Sequence, residues 1–233
     1  MNPPPDTTAR ARLDAVLARV ERAARQAARP VRLLAVSKFQ SAQAVASLTA
    51  CGQIAFGENY VQEGIAKQRE LEATDATGLE WHLIGPLQSN KAELAARHFD
   101  WVQSVDRAKL VPLLARGRSA EAAPLNLLIQ VNVDDEASKS GCAPDEVSAM
   151  AELIASHPTL TLRGLMAIPA PYPDISRRRA AFARMRELFD ALCATHPSAD
   201  TLSMGMSDDF EMAIEEGATM VRVGTALFGP RET

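Results

Sequence analysis

The sequence predicts a single α/β domain, a (β/α)8 TIM barrel with an extra N-terminal helix. Three observations carry this. Eight short apolar runs alternate with helix-like runs along the 233 residues. Most of these runs are continuous rather than alternately apolar and polar, the pattern of parallel strands covered on both faces. No stretch of linker composition interrupts the alternation, and eight βα repeats close into a barrel. An open doubly wound sheet is the runner-up; no GxGxxG follows an early strand, which weakens it. Residues 1–8 are expected to be a flexible, Pro-rich tail and residues 9–233 the domain.

The elements follow in order. Residues 9–28, rich in Ala, Arg, Leu and Glu, make the first helix, stopped by Pro30. Strand one is 32–37. A helix over 41–50 ends at Gly52, and strand two is 53–56, with Gly57, Glu58 and Asn59 at its exit. Residues 60–73 are helical, with Glu63 and Lys67 as a favourable i,i+4 pair. Strand three is 81–84, a short helix 91–98, strand four 101–105, and a helix 109–116. Strand five covers 126–133, a helix 145–156 follows Pro144, and strand six is 160–168. The Pro-rich segment 169–173 is a stiff loop before a long helix over 177–195. Strand seven is 201–204. Asp208 with Glu211 reads as a capping box, and strand eight is 220–223.

Composition narrows the function classes. With 47% hydrophobic and 23% charged residues the chain can bury a sizeable core. A net charge of −4 argues against nucleic acid or an anionic membrane as an obligate partner. No apolar run approaches the ~20 residues that span a bilayer. Cys51, Cys142 and Cys193 are far apart and lack CxxC spacing, which points to reduced thiols in a cytoplasmic protein. The four histidines form no i,i+4 pair, so no metal site is expected.

Lys38 is the chief candidate for chemistry. It closes an apolar strand, where an ammonium must reach water, find a partner or react. A partly desolvated amine loses its proton more readily and can attack a carbonyl to form a Schiff base. Barrel sites lie at the carboxyl ends of strands, often with a phosphate held by the turns after strands seven and eight. There the sequence has Ser203–Ser207 and Gly224-Thr225, turns of Gly and hydroxyl residues suited to an anion. Arg222, late in strand eight, needs an acceptor if buried. The bland alternatives stand beside these. Lys38 can snorkel, Asn59 can be a helix cap, and His82, Trp81 and Trp101 read best as core. Arg177, Arg178 and Arg179 read best as a solvated helix start.

Several segments carry a family resemblance. They are LAVSK at 34–38, FGENYVQE at 56–63, WHLIGPLQSNK at 81–91, SVD at 104–106, QVNV at 130–133, KSG at 139–141, RGLMAIP at 163–169, LSMGMSDD at 202–209 and VRVGT at 221–225. Through them the chain resembles the pyridoxal phosphate homeostasis protein family, a fold-type III group related to the alanine racemase N-terminal barrel. The resemblance implies that Lys38 carries pyridoxal 5'-phosphate (PLP, a vitamin B6 form) as an aldimine. It implies that Ser203, the Met204 backbone, Gly224 and Thr225 hold the phosphate, that Arg222 faces the pyridine nitrogen, and that Asn59 and Met166 line the ring.

PLP chemistry relies on a protonated pyridine nitrogen. Arginine cannot accept a proton, so it weakens the electron sink. Racemases with this arginine add a tyrosine from a second domain; such a domain is not expected here, and Tyr60 and Tyr172 are the only tyrosines. The expectation is a monomeric, non-catalytic PLP carrier that maintains intracellular PLP and amino-acid/keto-acid balance, with PLP-requiring apoenzymes as partners. The alternatives are a small PLP-dependent amino-acid racemase, a cofactor-free Schiff-base aldolase and a phosphate-binding module.

Overall fold

A computed structural model describes residues 7–74, 76–134, 140–170 and 172–229. Eight parallel strands close into a barrel in sequence order. They are β1 (Arg32–Val36), β2 (Ala55–Glu58), β3 (Glu80–Leu83), β4 (Trp101–Val105), β5 (Leu125–Gln130), β6 (Leu160–Met166), β7 (Thr201–Ser203) and β8 (Met220–Val223). Closure comes from β1 and β8, with Leu34 opposite Arg222 and Ala35 opposite Val223. The helices are α1 (Thr7–Gln26), α2 (Ala42–Ala50), α3 (Val61–Leu71), α4 (Ala92–His98), α5 (Leu110–Gly117), α6 (Val147–Ala155), α7 (Ile175–Thr195), α8 (Phe210–Glu215) and α9 (Thr225–Phe228). Short 3-10 turns precede α4 and α6.

Alternation along the strands splits the core in two. Residues such as Leu33, Ala35, Phe56, Leu83, Val102 and Leu127 join the helices in one large outer cluster. Their alternate neighbours face the barrel axis. They form two small apolar groups, Leu34, Ala55, Ile84 and Met220, and Trp101, Leu128 and Met166. The buried polar residues His82, Gln103, Ser203 and Arg222 share that interior.

The extra helix α1 buries Ala9, Leu13, Val16, Val20 and Ala23, spaced four and three apart on one stripe. It lies along α8, α9 and α2. The reason is length: α9 has only 4 residues, so the outside of β8 and β1 needs another cover. Arg19 binds Glu211 of α8 with both ends of its fork, at 2.7 and 2.9 Å, and lies over the Phe210 ring. Arg12 donates to the Phe228 carbonyl at 2.9 Å.

Other boundaries moved for local reasons. Strand two starts later than predicted because the Gln53 side chain donates to the Leu33 and Ala55 carbonyls, and Gly57 and Glu58 pair within the sheet. Strand five leaves the sheet at Gln130, since Val131 makes only an isolated bridge to Cys142. The predicted capping box at Asp208 is absent; Asp209 is the N-cap, and its Oδ1 accepts from the Met206 N–H instead. Of the expected tail over 1–8, residues 1–6 lie outside the described residues, while Thr7 and Thr8 belong to α1. Lys139 and Pro171 also lie outside them.

Candidate functional site

A cavity of about 360 Å³ opens at the carboxyl ends of the strands, a size suited to a small ligand. Lys38 enters it from the exit of β1, Asn59 from that of β2, and Gly85 and Pro86 from that of β3. Gln130 ends β5 beside it. Met206 and Ser207 reach it after β7, and Arg222, Gly224 and Thr225 from β8 and its turn. Five of the eight residues singled out from sequence therefore meet on one cavity: Lys38, Asn59, Arg222, Gly224 and Thr225.

Met166, Ser203 and Met204 do not line it; all three are fully buried. Met166 packs on Trp101 and Leu128 in the barrel interior. The Met204 N–H is taken by the Met220 carbonyl. The Ser203 hydroxyl accepts from Arg222 Nη1 at 2.8 Å and donates to Gln103 Oε1 at 2.7 Å. Ser207, a member of the same turn not singled out, takes the place on the cavity. The signal was Gly205, whose φ of +92° turns the chain so that residues 206 and 207 reach the cavity. Gly85 shapes the opposite wall, since a Cβ there would stand 2.2 Å from the Asn59 carbonyl oxygen. Asn59 is not the cap of α3; that position belongs to Tyr60.

Arg222 is held rigidly. Its second terminal nitrogen donates to the Ala167 carbonyl at 2.8 Å. Burial pulls the guanidinium down to about 10, with Asp209 opposing, so it stays a cation at neutral pH. Behind it runs a directed chain of hydrogen bonds. Ser203 donates to Gln103, and the Gln103 amide donates to His82 Nδ1 at 2.9 Å. His82 Nε2 faces Glu80 at 2.6 Å, and Glu80 meets Arg32 at 2.6 Å. Burial pulls the His82 imidazole below its usual range, against the Glu80 carboxylate that raises it; facing that acceptor, the ring carries a proton on Nε2 and Nδ1 accepts from Gln103. His82 is thus a satisfied core histidine, stacked on Trp101.

Beside Lys38 sits a buried polar cluster. Lys67 Nζ donates to the Ser37 carbonyl at 2.6 Å, and to Glu58 Oε1 and Glu63 Oε1 at 2.8 Å each. The Ser37 hydroxyl also donates to Glu58, at 2.6 Å. Burial pushes the Glu58 carboxyl up, against hydrogen bonds from Lys67 and Ser37 that pull it down. No group of acidic, His or Cys residues among the described residues could hold a metal ion, and no helix among them is long and apolar enough to cross a membrane.

Comparison with known proteins agrees with this geometry. A profile of the alanine racemase N-terminal domain matches residues 11–232. The pyridoxal phosphate homeostasis protein of Haemophilus influenzae is 54% identical over 203 residues, 86% of this chain and 85% of its own length. That of Escherichia coli is 52% identical over 202 residues, 87% of this chain and 86% of its own. The structure of PipY from Synechococcus elongatus with PLP bound superposes with a TM-score of 0.83 at 38% identity, covering 95% of this chain and 100% of that one. Alanine racemase from Corynebacterium glutamicum shares the fold alone, at 21% identity and a TM-score of 0.62. Cavity, fold and sequence together show that the chain belongs to the pyridoxal phosphate homeostasis protein family.

Proposed function

We propose that the chain binds PLP through Lys38 and serves as a cytoplasmic carrier and buffer of the cofactor, handing it to PLP-requiring apoenzymes without turning over substrate. The observation that carries this reading is one cavity holding a lysine amine on one side, a buried arginine beneath, and the Ser207 and Thr225 hydroxyls with the Gly224 turn on the other. An aldehyde bearing a ring nitrogen and a phosphate matches that donor set.

The places of the side chains around the cavity support the following roles. Lys38 would offer its Nζ amine to the aldehyde of the cofactor. Ser207, Thr225 and the Gly224 backbone would hold the phosphate. Arg222 would face the ring nitrogen, and Asn59 would line the ring. Ser203, Met204 and Met166 act one layer deeper, as support for Arg222 and the cavity floor.

When bound, PLP supplies an electron sink for a carbanion α to nitrogen, strongest when its ring nitrogen is protonated. Arg222 is locked by Ser203 and Ala167 and stays cationic, so facing that nitrogen it would donate to it and leave it without a proton. Among the described residues neither Tyr60 nor Tyr172 lines the cavity. The test is a steady-state assay of the PLP-loaded protein with D- and L-alanine. Carrier function predicts turnover far below ~1 s⁻¹, the low end of ordinary enzymes; a rate at or above it would overturn the carrier reading in favour of a racemase.

A further inference from the structure

The backbone at the candidate attachment lysine is unusual. Residues 37–40 form a tight turn, closed by Gln40 N–H to the Ser37 carbonyl at 3.0 Å, with Lys38 and Phe39 as its central pair. Phe39 has φ +63°. The third position of such a turn ordinarily takes Gly, because a side chain in the left-handed region is strained. Here a phenylalanine occupies it, and the residue is 57% exposed. The ring touches Tyr60 with centroids 5.7 Å apart, a contact too slight to impose the conformation alone.

What imposes it lies on α3. Glu63 Oε1 accepts from the Phe39 N–H at 2.5 Å. The same oxygen accepts from Lys67 Nζ, which also donates to the Ser37 carbonyl. Lys67 is anchored in turn to Glu58, whose side chain is fully buried. The residues on both sides of Lys38 are therefore gripped by one helix, and the strained turn is over-determined by charge-assisted hydrogen bonds.

We propose that Glu63 and Lys67 are positioning residues that hold Phe39 in the left-handed conformation and so aim Lys38 into the cavity. This rests on the reading of Lys38 as the PLP attachment residue. In the absence of the grip, Phe39 relaxes to negative φ. The ends of the turn are fixed by β1 and α2, so the compensating rotations fall on Lys38 and Gln40. Only the fraction of molecules with the turn intact then binds productively, and apparent affinity falls by that fraction.

The test exploits the one residue type for which left-handed φ costs nothing. Glu63 is preferred over Lys67 for substitution, because removing Lys67 strands the buried Glu58 charge and risks unfolding. PLP binding is measured by equilibrium titration, with borohydride trapping and peptide mapping at Lys38, on wild type, Glu63→Ala, Glu63→Ala/Phe39→Gly and Glu63→Ala/Phe39→Ala. Glu63→Ala is expected to weaken PLP binding by about tenfold, on the scale of the strain released. Adding Phe39→Gly restores it to within about threefold of wild type, since Gly populates positive φ about as readily as negative. Adding Phe39→Ala does not restore it.

Unchanged affinity in Glu63→Ala overturns the proposal while leaving the PLP reading intact. Equal rescue by Gly and Ala, or rescue by neither, also overturns it, since either outcome detaches Glu63 from the turn's conformation. Failure of wild type to trap PLP at Lys38 sinks the functional reading and this proposal with it.

Discussion

Ser203→Ala, set beside Ser207→Ala, contrasts a hydroxyl buried behind the cavity with a serine that lines it. The hydroxyl is buried at the centre of the barrel with two partners, Arg222 Nη1 at 2.8 Å and Gln103 Oε1 at 2.7 Å. Alanine fits the same space, so packing changes little and the cost is polar. One lost bond is charge-assisted, worth about 1.5–3 kcal/mol, and the other is neutral, worth about 0.5–1.5 kcal/mol. Both partners stay buried, Gln103 in the barrel interior and Arg222 at the floor of the cavity. The expected loss of stability is therefore about 2–4 kcal/mol, read as a lowered urea midpoint with an unchanged slope. Ser207→Ala removes a hydroxyl that faces the cavity and should cost stability less than about 0.5 kcal/mol. For PLP retention the order reverses: Ser207→Ala and Thr225→Ala each weaken it by about 1–3 kcal/mol, because a charged acceptor loses a donor. If Ser203→Ala unfolds like wild type yet loses phosphate-dependent affinity, with Ser207→Ala silent, the reasoning about the buried hydroxyl is wrong.

Three further outcomes follow from the same geometry. Arg12→Ala frees the Phe228 carbonyl at the end of α9, whose first residue is Thr225, so PLP affinity should fall by about 1 kcal/mol; an unchanged affinity by titration would show that α1 only covers the barrel. Burial lowers the His82 pKa, so the unfolded chain binds the extra proton: stability is full above about pH 6.5 and declines as the pH falls below it. Urea titrations at pH 7.5 and 5.5 should show that decline, and His82→Gln should flatten it; the groups facing the ring are Glu80, Gln103, Arg32 and Asp100. Gly85→Ala would drive a Cβ into the Asn59 backbone and displace the wall of the cavity. Its PLP affinity should drop at least tenfold; binding at wild-type strength would refute the close approach.

The barrel was legible because its signals are local. Continuous apolar runs, helix stops at Pro30 and Gly52, and strand-end polar residues are written in consecutive positions, and β4 and β8 fall where predicted. The site was half legible for the same reason. Lys38, Asn59, Arg222, Gly224 and Thr225 end or follow strands, and the end of a strand is readable. Ser203 and Ser207 could not be told apart, because their roles depend on the backbone reversal at Gly205 and on a partner, Gln103, one hundred residues away. The Arg222–Ser203–Gln103–His82–Glu80 chain joins four strands and has no sequence signature. The packing of α1 has no sequence signal, because it depends on the shortness of α9, a tertiary need that no local pattern encodes. Glu63 and Lys67 read as a helix-surface pair, and only the fold shows them gripping the turn at Lys38.

The central claim is a covalent bond at one side chain, and one measurement addresses it most directly. The protein is loaded with PLP, its visible absorbance recorded, reduced with borohydride, digested and mapped by mass spectrometry. The loaded protein should show a near-violet band that is absent in Lys38→Ala and a pyridoxyl group on the peptide containing Lys38. A protein that retains PLP with Lys38 unmodified would contradict it.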